Sequence, residues 1–307
     1  MAPLPPVRVT SGDPNADRRF AYAQGALDDG DHEAAADLAE QTLEITPDFA
    51  PAHALLGRAR AASGQREAAI GAFQAALALD PEDPLGVRLE LACLGALPQG
   101  EALGPGYVRA LFDQYAPRFD AHLVGALGYR GPAVLMEALD AVAPGRSFDR
   151  ALDLGCGTGL MGEVLRARAG HLAGCDLSPA MVEAARGKGI YDRLAAAELV
   201  AFLAAEPRAG ADLVVAADVL VYVGDIAPVL AAAAGALMPG GLFGFTVQDH
   251  QAEGFALGED ARFAHAPAYL DAAARAAGFE VALSRAASTR RDRGADVPGR
   301  VLVLRRP

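Results

Sequence analysis

Cysteine is scarce. The chain of 307 residues has three, Cys93, Cys156 and Cys175, and none sits in a paired CxxC spacing. That excludes a disulfide framework, gives no support to a metal site, and fits a reducing, cytoplasmic setting. Long apolar runs are also missing. The longest, Ile226 to Met238, is broken by Pro228 and falls short of the roughly 20 residues a membrane helix needs. The opening Met1-Ala2-Pro3-Leu4-Pro5-Pro6 carries no leader-like apolar stretch, so a soluble protein with no membrane attachment is expected. Basic charge is the third shortage: 27 Lys plus Arg stand against 39 Asp plus Glu, a net of −12. Residues 1–106 hold 7 Arg and no Lys against 16 acidic side chains, a net of −9, which leaves −3 for the rest. Neutralising phosphates needs a positive surface, so no nucleic-acid partner is expected. The Arg290, Arg291, Arg293, Arg300, Arg305 and Arg306 cluster is the local exception, and it reads as charge on a solvated hairpin.

What is present is apolar substance and order. Hydrophobic residues make up 52% of the chain, enough to fill the cores of the two domains its length suggests. Residues 1–15, rich in proline, glycine and polar side chains, read as a disordered N-terminus. Then a repeat begins. An offset of 34 pairs Pro47 with Pro81, and likewise Ala23 with Gly57, Gly30 with Gly64, Ala35 with Ala69, Ala39 with Phe73 and Leu43 with Leu77. This period, with small residues inside a helix pair and proline at its end, is the tetratricopeptide signature. Small side chains let paired helices approach, and Gly30 and Gly64 supply the turns. Residues 16–98 therefore read as two helical repeats plus a capping helix from about Pro84 to Leu94. Two repeats bury their faces poorly, so the open side is expected to pack on the rest of the chain or on another subunit, a second copy of the chain included.

Gln99-Gly100 and Gly104-Pro105-Gly106 mark a linker. Beyond it, residues 107–307 alternate short apolar strands with helical stretches, the pattern of a parallel sheet with helices on both faces. Strand Ala151-Leu152-Asp153-Leu154 runs into Gly155-Cys156-Gly157-Thr158-Gly159 and then a helix, which makes a ligand crevice at the carboxyl edge of the sheet. Gly157, Gly159 and Gly162 satisfy the dinucleotide fingerprint GxGxxG, so an NAD-dependent oxidoreductase is one reading. Register argues for another: the strand ends at Leu154, and the first tight turn falls on Gly155, two residues before that fingerprint begins. Asp176, closing the second strand, can accept from ribose hydroxyls in either class.

The run Leu152 to Gly159 resembles motif I of the class I S-adenosylmethionine (SAM)-dependent methyltransferases. Asp176-Leu177-Ser178-Pro179-Ala180-Met181 is similar to their post-motif, Ala217 to Tyr222 to the segment after strand four, and Pro239-Gly240-Gly241 to the turn before strand five. The resemblance runs from about Tyr107 to Pro307, and the whole chain looks like the bacterial tetratricopeptide-fused methyltransferases. It implies a doubly wound, seven-stranded α/β sheet, with Gly278 to Leu283 and Arg300 to Leu304 as strands six and seven, and SAM as cofactor. The contacts it implies are Asp153, Gly155, Cys156, Gly157 and Gly159 in the first turn, and Asp176 and Leu177 on the ribose side. It adds Met181 against adenine, Glu198 on the adenine amino group, the Ala217 carbonyl on the ammonium, and Asp218 facing the crevice. A lid helix over 107–120 would bring Tyr115 to the methionine end, with Tyr129 and Arg130 as weaker candidates.

The acceptor side is expected from Tyr222, Gln248, His250, Arg262 and His265. Methyl transfer from a sulfonium is an in-line displacement, in which positioning supplies most of the acceleration. Where a base is needed, His265 is the candidate, with His122 and His250 behind it. Two functions fit these residues: a methyltransferase for a small molecule, or one for a protein whose acidic repeats capture a basic peptide. A third, an interaction module with a non-catalytic domain, sits poorly with the intact first turn and Asp176.

Overall fold

The computed structural model describes residues 10–126, 128–292 and 294–307. It divides into two compact units, residues 1–110 and 111–307. No described helix is long and apolar enough to cross a membrane.

The first unit is a set of antiparallel helices: α1 (Pro14–Asp28), α2 (His32–Ile45), α3 (Ala50–Ala62), α4 (Arg66–Leu79) and α5 (Val87–Cys93). Residues 10–15 are not the loose tail expected of them. The Asp13 side chain caps α1 by accepting from the Asn15 and Ala16 amides at 2.7 and 3.1 Å, and Pro14 takes the first-turn position its missing N–H suits. Residues 1–9 lie outside the described residues. Gly30 and Gly64 turn the chain at φ +80° and +74°, which only glycine adopts without strain. Ala23, Ala35, Ala39, Ala69 and Phe73 are fully buried. Gly57 shows why the repeat needs small residues: a Cβ there would meet the Phe73 ring at 2.5 Å. Asp83 fixes the start of α5 by accepting from the Val87 and Arg88 amides at 2.7 and 2.9 Å.

Helix α6 (Pro105–Tyr115) begins inside the stretch expected to be linker and stops five residues before the expected lid end. Pro117 ends it, because a proline has no N–H to continue the i→i−4 ladder, and residues 116–118 tighten into a 3-10 turn. The second unit then alternates α7 (Gly131–Val142), β1 (Phe148–Leu154), α8 (Leu160–Leu165), β2 (Ala169–Asp176), α9 (Pro179–Gly187), β3 (Arg193–Ala196), α10 (Leu199–Ala204), β4 (Ala211–Ala216), α11 (Ala227–Ala236) and β5 (Leu237–Asp249). After these come β6 (Phe255–Leu257), β7 (Phe263–His265), α12 (Pro267–Ala276), β8 (Glu280–Ala286), the hairpin β9 (Arg291–Asp292) and β10 (Ala295–Asp296), and β11 (Gly299–Arg305).

The main sheet runs β3-β2-β1-β4-β5-β11-β8, with β11 antiparallel to both neighbours and the other pairs parallel. This is the seven-stranded, doubly wound sheet the sequence implied. Two short strands were not foreseen: β7 adds to the end of β5 through Gln248 and Asp249, and β6 pairs with β7. All six residues of β4 are buried, as a central parallel strand covered on both faces requires. One core joins the sheet to α10, α11 and α12, and the other joins it to α7 and α8. The order reverses between β1 and β4, so the crevice opens beyond their carboxyl ends, where doubly wound sheets bind ligands.

Candidate active site

Three glycines build the first turn. Gly155, Gly157 and Gly159 sit at φ +59°, +53° and +96°, and a Cβ on Gly155 would strike Val219 at 2.5 Å. Cys156 is buried between them, its amide on the Cys175 carbonyl at 2.8 Å. Burial lifts the Cys156 thiol well above its usual range and the Cys175 thiol to about 12, so neither is a nucleophile.

The third glycine of the dinucleotide fingerprint has a different purpose here. A Cβ on Gly162 would run into Tyr191, and one on Gly174 would meet the same ring at 2.8 Å. Tyr191 fills that space and donates its hydroxyl to Asp153 Oδ2 at 2.6 Å. Nothing in the sequence singled out Tyr191, because its relation to the turn exists only across the sheet edge. Asp153 is 1% exposed, and its Oδ1 has no partner among the described residues. Burial, opposed by the Tyr191 hydrogen bond, pushes its carboxyl up to about 7. A buried carboxylate oxygen left unpaired is costly, and a cationic ligand group would pair it.

Asp176 joins the two cofactor-side loops. Its Oδ2 accepts from the Gly157 amide and its Oδ1 from the Ser178 amide, both at 2.9 Å. Burial raises its carboxyl, with those amides opposing. A carboxylate has about four lone-pair sites, so two stay open for a diol. Leu177 beside it is half-buried. Met181 differs from its expected role: it is fully buried beneath the start of α9, where the Ser178 hydroxyl accepts its amide at 3.1 Å, and it offers no surface to a ligand. Glu198 is exposed at the N-cap of α10 and makes no capping hydrogen bond.

On the β4 side, Ala217 is half-buried and Asp218 takes a left-handed φ of +58°, a conformation uncommon outside glycine and one that holds only when fixed by its surroundings. Two threonines that the sequence did not flag do the fixing. The Asp218 amide donates to Thr246 Oγ1 at 2.8 Å, that hydroxyl donates to Asp218 Oδ1 at 3.0 Å, and Thr289 Oγ1 lies 2.8 and 2.7 Å from Oδ1 and Oδ2.

The segment after α6 lies over the first turn. A Cβ on Gly157 would come 3.8 Å from the Phe119 ring. Asp113 accepts from the Ser178 hydroxyl at 2.5 Å, Asp120 accepts from the Thr158 hydroxyl, and Lys188 bridges Asp120 and Glu163 at 3.0 and 2.8 Å. Phe112 meets the Tyr222 ring edge-on at 5.2 Å between centroids. Tyr115 packs on Phe119 and shares a hydrogen bond with His122 Nδ1. Tyr129 is half-buried, and burial next to Asp218 and Asp153 drives its hydroxyl well up. Its neighbour Arg130 is exposed and pairs with Asp296, away from any ligand role. Leu127, which precedes this pair, lies outside the described residues.

His265 is a correction. It is 0% exposed, and its Nε2 lies 3.0 Å from both the Val223 and Gly224 carbonyls, which it can satisfy only as a donor. Its ring stacks on Tyr269, and burial lowers its basicity. A ring so enclosed reaches no substrate proton. It braces the loop after β4. His250 is half-buried and linked to it through its amide. The arginine cluster is a second correction: Arg290 is 5% exposed, and Arg300 forks onto Asp249 at 3.0 and 3.2 Å, so neither is solvated hairpin charge. Arg293 lies outside the described residues. The described residues contain no group of His, Cys, Asp and Glu able to hold a metal.

Comparison with known proteins decides between the two cofactor classes. Residues 152–243 match the family model for a methyltransferase domain, and residues 26–91 match the tetratricopeptide repeat model. The chain carries a methyltransferase domain behind tetratricopeptide repeats. Methyltransferase-like protein 27 of Homo sapiens is 40% identical over 85 residues, 27% of this chain and 34% of that protein. The ubiquinone biosynthesis O-methyltransferase of Xylella fastidiosa is 34% identical over 95 residues, 30% of this chain and 39% of that enzyme. The chain thus spans under two-fifths of these two relatives. Among solved structures, a Leishmania major SAM-dependent methyltransferase superposes with a TM-score of 0.55 at 18% identity, covering 66% of this chain and 82% of its own. The Burkholderia thailandensis 1,6-didemethyltoxoflavin-N1-methyltransferase, solved with S-adenosylhomocysteine, gives 0.51 at 19%, covering 65% and 88%. The cyclase SpnF gives 0.53 at 19%, covering 65% and 95%. These likenesses establish the fold, and a cyclase among them shows that the fold by itself does not fix the reaction.

Proposed function

We propose that the protein transfers the methyl group of SAM to a small-molecule acceptor bound between Asp218, Tyr222 and the segment after α6. The observation that carries this is the pairing of an unpartnered, buried Asp153 oxygen with a second carboxylate, Asp176, across one glycine turn. The first suits the ammonium of an amino acid and the second a ribose diol. When bound, SAM supplies an electrophilic methyl on a sulfonium, open to in-line displacement. The chain's own residues do the rest. Gly155 to Gly159 seat the methionine arm against backbone, and Asp176 orients the sugar while holding the turn in shape. The Ala217 carbonyl supplements Asp153 at the ammonium. Phe112, Tyr115 and Phe119 exclude water, which strengthens every polar contact inside. Once His265 is set aside, Asp218 is the ionisable group best placed to accept an acceptor proton.

The small-molecule reading draws support from a relative named for ubiquinone biosynthesis, and a structural neighbour is named for 1,6-didemethyltoxoflavin. The acidic repeats, net −9 over residues 1–106, favour a second reading in which they capture a basic protein partner. Calorimetry of the full chain with S-adenosylhomocysteine and with NAD tests the cofactor assignment; binding of NAD alone would overturn it. Labelled SAM incubated with fractionated cell extract then separates the acceptor classes, since label retained on protein bands would replace the small-molecule reading.

A further inference from the structure

The acceptor end of the crevice contains two arginines held close together and poorly paired. Arg262 Nε donates to the Tyr222 hydroxyl at 3.2 Å, and its guanidinium lies 5.8 Å from the centre of that ring. Its ion pair with Asp260 is 3.6 Å long. Arg290, 5% exposed, has one described ion pair, also to Asp260, at 3.5 Å. Asp260 takes its shortest contact from the neutral Gln248 amide at 3.1 Å. Charge-assisted guanidinium–carboxylate bonds are ordinarily near 2.7–2.9 Å and often forked. Two guanidiniums offer ten N–H donors, and among the described residues this corner supplies them one shared carboxylate at long range and one phenol oxygen.

The other charge facing both arginines is Asp218. Its oxygens are held by the Thr246 and Thr289 hydroxyls, and among the described residues it forms no ion pair with either guanidinium. Arg290 follows Thr289 in the chain, and Val219, next to Asp218, abuts the Gly155 turn. The pair therefore stands beside Asp218, in the loop that abuts the glycine turn. Phe112 and Tyr222, crossed at 84°, give this end an aromatic wall.

We infer that Arg262 and Arg290 together form a carboxylate-binding site for the methyl acceptor, which is a small acid with an aromatic body. The inference rests on the methyltransferase reading above and adds the acceptor's chemical class. Arginine rather than lysine is the residue for forked recognition of a planar anion, and burial sharpens discrimination because a neutral isostere would leave the donors unpaired. Gln248 and Asp260 set the orientation of the two guanidiniums. The alternative occupant, a cationic amine drawn to Asp218 and Asp260, predicts the reverse preference.

The test uses the full-length protein saturated with S-adenosylhomocysteine and titrated with matched aromatic acids and amides: benzoate and benzamide, their 4-hydroxy forms and their 3,4-dihydroxy forms, with 3,4-dihydroxybenzylamine as the cation. Saturable binding of S-adenosylhomocysteine, measured first, tests the cofactor reading alone, and its absence would remove that reading. Given that binding, at least one acid should bind tenfold or more tightly than its amide. The preference should collapse to less than threefold in Arg262→Gln and in Arg290→Gln. Thermal melting identifies a misfolded Arg290→Gln, in which case Arg262, less deeply buried with 26% of its side chain exposed, carries the test as Arg262→Gln and Arg262→Lys. No acid bound, acids and amides bound alike, the amine preferred, or an acid preference that survives Arg262→Gln would each overturn the inference while leaving the cofactor reading intact.

Discussion

Asp153 should weaken the unliganded fold in order to bind ligand. Its carboxyl is pushed from about 3.8 to about 7 by burial, and at about 1.4 kcal/mol per unit that is a penalty of about 4 kcal/mol once it is ionised. For an acid whose folded value is raised, the folded state holds the extra proton between the two values. Stability is therefore lost as pH rises from about 4 to about 7. Asp153→Asn removes that penalty and keeps an oxygen for the Tyr191 hydroxyl, but it leaves a buried amide N–H₂ unpaired, which costs about 1–3 kcal/mol. The net gain at pH 8 is about 1–3 kcal/mol, or roughly 2–10 °C in Tm for a unit of this size. At pH 5.5 the gain should shrink by about 2 kcal/mol, since the wild-type penalty is then only part developed. Affinity for S-adenosylhomocysteine should fall about 10- to 100-fold with the loss of a charged partner for its ammonium. Melting curves at both pH values, with and without S-adenosylhomocysteine, check all of this. A variant less stable than wild type at pH 8, or one that keeps full ligand affinity, would refute the reasoning.

Asp176→Ala should weaken S-adenosylhomocysteine binding by about 2–5 kcal/mol, because bonds to a charged acceptor go together with the anchor of the Gly157 amide; calorimetry reads it. Gly155→Ala should abolish that binding, since its Cβ meets Val219 at 2.5 Å and its φ is +59°. His265→Gln should lower Tm by several degrees, equivalent to about 1–3 kcal/mol, while the pH profile of kcat keeps its shape; loss of a limb near neutrality would restore His265 as a base. Lys188→Met breaks the tie from α9 to Asp120 and should speed S-adenosylhomocysteine release several-fold in stopped flow, with Tm changed by no more than a degree or two, since partly exposed ion pairs contribute little. An unchanged release rate would mean the segment after α6 does not gate the site.

The glycine turn, the carboxylate closing β2 and the repeat of 34 were legible from residue order because each is a local requirement. Positive φ demands glycine, a strand end places its carboxylate at the sheet edge, and close helices demand small side chains. Alternation of strands and helices indicated a sheet covered on both faces, whereas the seven-stranded doubly wound arrangement came from the resemblance of the motifs. The rest could not be read, because it arises between segments distant in the chain. Gly162 fitted a dinucleotide fingerprint, yet it makes room for Tyr191. His265 had the chemistry of a base and lost it on meeting two carbonyls at 3.0 Å. Arg290 looked like surface charge, yet it is buried beside Asp260, Asp218 and Tyr222. Residue order set what each side chain can do, and tertiary packing decided which of them keep access to water, to protons and to a partner, because desolvation is a property of the assembled surroundings.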